Sequence, residues 1–257
     1  MSTLTLAARD SSTMVRRQLK RLLRYPSMTV QLVVTPVILL LLFVYVFGGT
    51  LGAGLGGGRD TYVDYVLPGI LLMAVATAAT GTAVMVATDM TEGIIARFRT
   101  MRISRASVLT GHVVGAVIQQ LLGLVVLFGV ALAIGFRPNA TAVEWLAAAG
   151  LLTLFALAIT WLAVALGLTA QTPESASNAP MPLILLPFLG SGFVPTDSMP
   201  TVLRWFAEYQ PFTPIMETLR GLLLGTPIGN SAAIATAWCV GIAAVSYLWG
   251  KRTFNKS

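Results

Sequence analysis

The chain has one cysteine, Cys239, and one histidine, His112. A single cysteine excludes an intrachain disulfide and leaves the redox compartment undecided. With one histidine there is no H-E-x-x-H motif, and with one cysteine no thiolate cluster, so no metal site is expected. No G-x-x-x-x-G-K-[ST] loop occurs, which excludes ATP hydrolysis by that route in this chain. Charge is scarce as well. Only 11% of the 257 residues are charged and 56% are hydrophobic, whereas soluble domains carry about 25% charged residues. That deficit excludes an ordinary soluble domain and points to a polytopic membrane protein, because the apolar residues fall in separate blocks.

A bilayer core of ~30 Å needs ~20 helical residues. Six blocks qualify, at about 27–47, 65–88, 108–134, 145–170, 178–194 and 232–250. The fifth is short and contains Pro180, Pro182 and Pro187, which a membrane helix tolerates when neighbours satisfy the freed carbonyls. No cleavable signal peptide is expected: the first run is too long, its basic lead-in is extended, and more blocks follow.

The net charge of +7 is a topology signal rather than a nucleic-acid footprint. Thirteen of the 17 basic residues lie in three segments: the lead-in (Arg9 to Arg24), the loop between blocks two and three (Arg97, Arg99, Arg102, Arg105) and the tail (Lys251, Arg252, Lys256). With six spans all three lie on one face, and positive loops stay in the cytoplasm. Both termini are therefore expected in the cytoplasm, with the chain embedded in the cell membrane. His112 and Ser191 then fall near opposite membrane faces, which disfavours a Ser–His pair. A self-powered carrier is also disfavoured, because all ten acidic residues lie outside the six blocks or at their ends.

Residues 1–26 read as an amphipathic helix in the cytoplasmic headgroup plane. Val15, Leu19, Leu22 and Leu23 share one face, cations cover the rest, and Pro26 stops it. It serves equally as a topology anchor or as a contact for a cytoplasmic partner. The glycines at 52, 54 and 57 satisfy G-x-G-x-x-G formally, but they follow a membrane helix rather than a strand, so they read as an external loop. Gly111–Gly115 and Gly221–Gly225 fit G-x-x-x-G and are packing hints. Between blocks five and six, residues 194–231 are too polar to span simply and too apolar for an ordinary loop. Prolines frame two short helices, at about Thr201–Tyr209 and Ile215–Leu224, and the segment reads as a re-entrant hairpin entering from the outer face.

Two segments carry a resemblance. "EGIIARFRTMRISRASVLTG" (Glu92–Gly111) has Glu92–Gly93, Arg97–Phe98–Arg99, Ser104–Arg105 and Val108–Leu109. "FVPTDSMPTVLRWFAEYQPFTPIMETLRGLL" (Phe193–Leu223) has Pro195, Met199–Pro200, Leu203–Arg204, Pro211, Thr213 and Leu219–Arg220. With these features the chain resembles the membrane permease of type-2 ABC exporters, especially the daunorubicin-resistance-like branch. Ala96 and Arg102 depart from that pattern, standing where an acidic residue and a proline are common.

The resemblance implies a permease that pairs with a separate P-loop ATP-binding subunit. Two copies of each would form the exporter, with ATP and magnesium held by the partner and no cofactor in this chain. Residues 89–107 would be the coupling segment, with Glu92, Gly93, Ile94, Arg97, Phe98 and Met101 at the contact. Residues 194–231 would help close the outer side through Pro195, Pro200, Arg204, Pro211, Thr213 and Arg220. A hydrophobic drug, natural product or lipid would be the substrate.

The residues themselves agree in part. Ile94, Phe98 and Met101 fall at i, i+4 and i+7, an apolar face ringed by cations. That pattern suits an apolar groove with an acidic rim, and it suits a membrane-surface helix too. For a substrate path the candidates are Gln31, Thr35, Thr77, Thr80, Gln119 and Asn178, though intrahelical bonding explains most of them equally well. The expectation is a single all-α permease domain over 1–257, with six transmembrane helices, an interfacial N-terminal helix and an external re-entrant hairpin. A secondary transporter or channel is the alternative.

Overall fold

The computed structural model describes the backbone of residues 26–92 and 105–256, and side chains over 33–92 and 113–254. The expected N-terminal amphipathic helix therefore lies outside the described residues. What is described is helical, with no strand. Helix α1 (Pro26–Leu42) runs through a π-turn (Phe43–Phe47) into α2 (Gly48–Gly54). Then come α3 (Arg59–Thr91), α4 (Arg105–Ala133) and α5 (Ala142–Thr169), followed by the short α6 (Pro173–Asn178) and α7 (Met181–Leu185). A 3-10 turn (Thr196–Ser198) leads to α8 (Thr201–Tyr209), α9 (Phe212–Leu224) and α10 (Ser231–Lys256). The two short helices expected in the 194–231 segment are both present.

Local chemistry sets these ends. Thr141 and Glu144 form a reciprocal capping box at α5: the Thr141 backbone N–H donates to Glu144 Oε2 at 2.6 Å, and the Glu144 N–H to Thr141 Oγ1 at 3.4 Å. Thr172 and Ser175 do the same at α6. Outside the long helices, the Glu174 carboxyl is held below the usual carboxylate range, first by its own backbone N–H and then by the Thr172 hydroxyl. Gly225 closes α9 in the left-handed region at φ 76°. It is thus a helix terminator, not a member of a G-x-x-x-G packing face.

Among the described residues, five helices are long and apolar enough to cross a membrane: Val33–Gly54, Arg59–Thr91, Val113–Ala133, Ala142–Thr169 and Ser231–Phe254. Helices α3 and α5 form the centre and are mostly buried; α1, α4 and α10 surround them and are mostly exposed. Ile38, Val46, Val125, Val245 and Leu248 are large apolar side chains on those outer faces. A water-soluble fold would bury such residues; a bilayer does not require it. The central pair meets closely. A Cβ at Gly167 of α5 would lie 2.5 Å from the Ala83 carbonyl oxygen of α3, so glycine lets the two backbones touch.

The block expected as the fifth span is not one continuous helix. After Asn178, the last residue of α6, it consists of a turn at 179–180, the short α7 and a run of turns from Leu186 to Phe193. Pro180, Pro182 and Pro187 explain the breaks, since each removes a backbone donor. Even so, the stretch covers a large height. It begins beyond Gly167, which sits against Ala83, and ends at Gly192, which sits against Gly69. Positions 69 and 83 of α3 are separated by about 21 Å along the helix axis.

Candidate functional site

The first expected contact segment is barely within view. Glu92 is exposed and serves as the C-terminal cap residue of α3. Gly93, Ile94, Arg97, Phe98 and Met101 lie outside the described residues, so the apolar face expected for them has no structural account here.

The second segment is fully described, and part of it assembles into a site. Arg220 of α9 is 7% exposed. Its Nη2 donates to the carbonyl oxygens of Tyr65 at 3.0 Å and Ser191 at 2.9 Å, and its Nη1 to Glu217 Oε1 at 2.8 Å. The guanidinium lies 4.0 Å from the centre of the Tyr65 ring, close enough for a cation–π contact. One planar group thus joins α3, α9 and the turns before residue 194. Arginine suits this because its donors fan out in a fixed plane.

A second set of contacts lies next to the first. The Ser191 backbone N–H donates to Thr213 Oγ1 at 3.3 Å. Gln210 Nε2 donates to the Leu186 carbonyl at 2.9 Å and reaches Thr213 Oγ1 at 3.5 Å. The run of turns is therefore held at Leu186 and twice at Ser191. Turn residues cannot satisfy their own backbone as a helix does, so at membrane depth other groups must do it. Three buried atoms of this network keep unused hydrogen-bonding capacity: Ser191 Oγ, Gln210 Oε1 and Arg220 Nε.

An aromatic cluster covers the other side. Phe188 and Phe193 stack with centroids 4.4 Å apart, and Phe43 of the π-turn approaches Phe193 at 4.5 Å. Tyr62 donates from its hydroxyl to the Phe193 carbonyl at 3.4 Å. Glycine makes the backbone contact possible: a Cβ on Gly69 would lie 2.7 Å from the Gly192 carbonyl oxygen. π-turns inside helices are often found at functional positions.

The expected hairpin residues divide between these surroundings. Thr213 and Arg220 are in the network. Pro211 begins α9 and Pro200 begins α8, while Pro195 precedes the 3-10 turn. Arg204 is elsewhere, on the exposed surface of α8, paired with Asp197 at 2.6 Å and Glu208 at 2.7 Å.

The substrate-path candidates do not converge on one cavity. The side chain of Gln31 is outside the described residues. Thr35 and Asn178 are exposed, and Gln119 is half-buried. Thr77 donates to the Met73 carbonyl at 2.8 Å, an ordinary intrahelical bond. Thr80 Oγ1 is buried without a hydrogen-bond partner. Among the described residues, Gln120 and Thr160 are a polar pair that does join two membrane helices, at 3.1 Å. It borders a small crevice between α1, α3 and α4, next to Pro36 and Gly123. Sequence reasoning passes over Gln120, whose neighbour Gln119 looks equivalent until the helix faces are known. It passes over Tyr65 and Gln210 too. The legible signal for Gln210 was a lone amide between two helices, three residues before Thr213.

Residues 10–224 match the family of ABC-2 type transporters. The chain belongs to that family. The match takes in α1 to α9, all of 89–107 and residues 194–224 of the external segment, and stops before α10. Two relatives place it further. The daunorubicin resistance ABC transporter permease protein DrrB1 of Streptomyces coeruleorubidus is 28% identical over 204 residues, covering 79% of this chain and 70% of that protein. The probable doxorubicin resistance ABC transporter permease protein DrrC of Mycobacterium tuberculosis is 26% identical over 188 residues, covering 73% of this chain and 68% of its own length. This ABC-2 chain is thus a membrane permease subunit, and ATP hydrolysis in such a transporter belongs to another subunit.

Proposed function

We propose that this ABC-2 permease forms the membrane half of an ATP-driven exporter that moves a hydrophobic or amphipathic drug, natural product or lipid outward. The observation that carries the reading is the family match over residues 10–224, with relatives named for daunorubicin and doxorubicin resistance. Energy comes from a separate P-loop subunit holding ATP and magnesium. Two permeases and two such subunits make the complex, in the cell membrane, with both permease termini in the cytoplasm.

The chain crosses the membrane six times in this reading. The fifth crossing is the proline-broken stretch at about 178–194, through α7 and the following turns; support comes from the distance of about 21 Å along α3 between the level of Gly167, before it, and that of Gly192, near its end. Helices α8 and α9 form the re-entrant hairpin. Support comes from Phe212, which meets Phe155 at 5.2 Å, halfway along α5, while the Leu223 carbonyl at the other end of α9 accepts from the Asn139 backbone N–H beyond α4. The hairpin therefore descends beside the bundle and returns.

Coupling to the ATP-binding subunit runs through residues 89–107, with Phe98 at the centre of the apolar face between Ile94 and Met101. Burying such a side chain stabilises a contact by about 1.5–3 kcal/mol, and a carboxylate there would be unpaired in an apolar groove. Phe98→Asp should leave membrane insertion intact, weaken copurification of the ATP-binding subunit and abolish transport-linked ATP hydrolysis. Arg99→Ala should do less, as rim charges contribute little. If Phe98→Asp kept assembly and transport while Arg99→Ala abolished both, coupling through the apolar face would be wrong.

A further inference from the structure

Helix α8 has three sides with different chemistry. Ala207 is fully buried against the protein. Val202, Trp205, Phe206 and Tyr209, at i, i+3, i+4 and i+7, form an exposed apolar face; Val202 is 85% and Trp205 66% exposed. Arg204 and Glu208, at i and i+4, form a third, charged edge together with Asp197 from the 3-10 turn. The Asp197 side chain is 79% exposed, and those of Arg204 and Glu208 are 45% and 43%.

The depth of this helix makes the charged edge informative. Arg220 touches the Tyr65 carbonyl, where the uninterrupted apolar stretch of α3 begins. Phe212 lies eight residues earlier in α9, about 12 Å deeper, and only Gln210 and Pro211 lie between it and the end of α8. The start of α8 follows Phe193, which is tied to Tyr62 at the outer end of α3. Helix α8 thus runs from the outer end of the bundle to well inside the outer leaflet. Ionisable groups at such depth are costly in hydrocarbon and face either protein or water. Among the described residues α8 packs chiefly on α9 and the 3-10 turn, and the side chains of this edge keep much of their surface exposed.

We propose that the Asp197–Arg204–Glu208 edge of α8 lines a water-filled vestibule open to the outside, while the Val202–Trp205–Tyr209 face of the same helix meets the acyl chains. The ion pairs keep that edge hydrated. A departing substrate would meet water there, at a depth where the opposite face of the helix is still in lipid. The inference rests on the reading of residues 194–231 as a re-entrant hairpin.

The test uses the full transporter complex carrying Cys239→Ala, and a charged, membrane-impermeant thiol reagent applied from outside. Single cysteines replace Ser198, Glu208, Trp205 and Val202 in turn, and only variants that assemble and transport are compared. Ser198→Cys and Glu208→Cys should label, while Trp205→Cys and Val202→Cys should label slower by roughly tenfold or more, because apolar surroundings suppress the thiolate. If Ser198→Cys labels and the other three do not, the vestibule is wrong and the embedded hairpin stands. If all four label alike, the hairpin lies outside the membrane and both readings fail. If Ser198→Cys does not label, the orientation itself is wrong. Should Glu208→Cys fail to assemble, Arg204→Cys replaces it with the same expected result.

Discussion

Helices α8 and α9 are neighbours in sequence and opposites in environment. Of α8, only Ala207 is buried, and its arginine pairs in the open with Asp197 and Glu208. Of α9, ten of thirteen residues are buried, and its arginine holds two backbone carbonyls from other parts of the chain. Both helices begin with a proline cap and both carry an arginine with a nearby glutamate. What separates them is the position of the basic residue against the apolar stripe. Arg204 lies off the Val202–Trp205–Tyr209 stripe, so it can stay at a surface. Arg220 sits next to Leu219 and Leu223, which are fully buried, so burial of α9 takes it inside and it must find acceptors there. The same residue type is a surface charge in one helix and a fastening in the next.

Breaking the backbone seat under this fastening should have the largest effect. In Gly69→Leu the first added carbon already meets the Gly192 backbone, which cannot rotate away as a side chain can. The loss should exceed the ~3 kcal/mol usual for overpacking, seen as little folded permease recovered from membranes. Arg220→Met comes next. It keeps the volume but leaves the Tyr65 and Ser191 carbonyls without that donor, and should cost about 3 kcal/mol. Thermal unfolding in detergent should fall by several degrees, and a protease acting from outside should gain access near residues 186–194. Arg204→Ala should be smallest. Its group is exposed, so the unfolding temperature should not move measurably. If Arg204→Ala destabilised the chain as much as Arg220→Met, the contrast between the two helices would be false.

Much of this architecture was legible in the sequence. Long apolar blocks outlined the five long helices, because in lipid a helix is the way to satisfy its own backbone. The prolines marked α8 and α9 within a few residues. What escaped notice depends on helix rotation and on contacts between distant segments. Thr213 and Arg220 could be named from the resemblance, yet nothing local showed that their partners are Ser191, Gln210 and Tyr65. The fifth block has enough apolar residues for a span, and only the placement of its three prolines, with Gly190 and Gly192 beyond them, marks it as a broken one. Among the polar residues of the spans, Gln119 and Gln120 differ only in direction by ~100°, and that rotation decides which reaches Thr160.

The central claim is that this permease moves its substrate with energy from a separate ATP-binding subunit. The direct test is reconstitution of the permease with its P-loop partner in sealed vesicles, with an amphipathic fluorescent anthracycline as the probe. With ATP supplied on the cytoplasmic side, probe should move to the opposite side, stop when the partner is omitted, and continue when a protonophore collapses any proton gradient. Movement that proceeds without the partner and disappears with the protonophore would make the protein a secondary transporter and contradict the account.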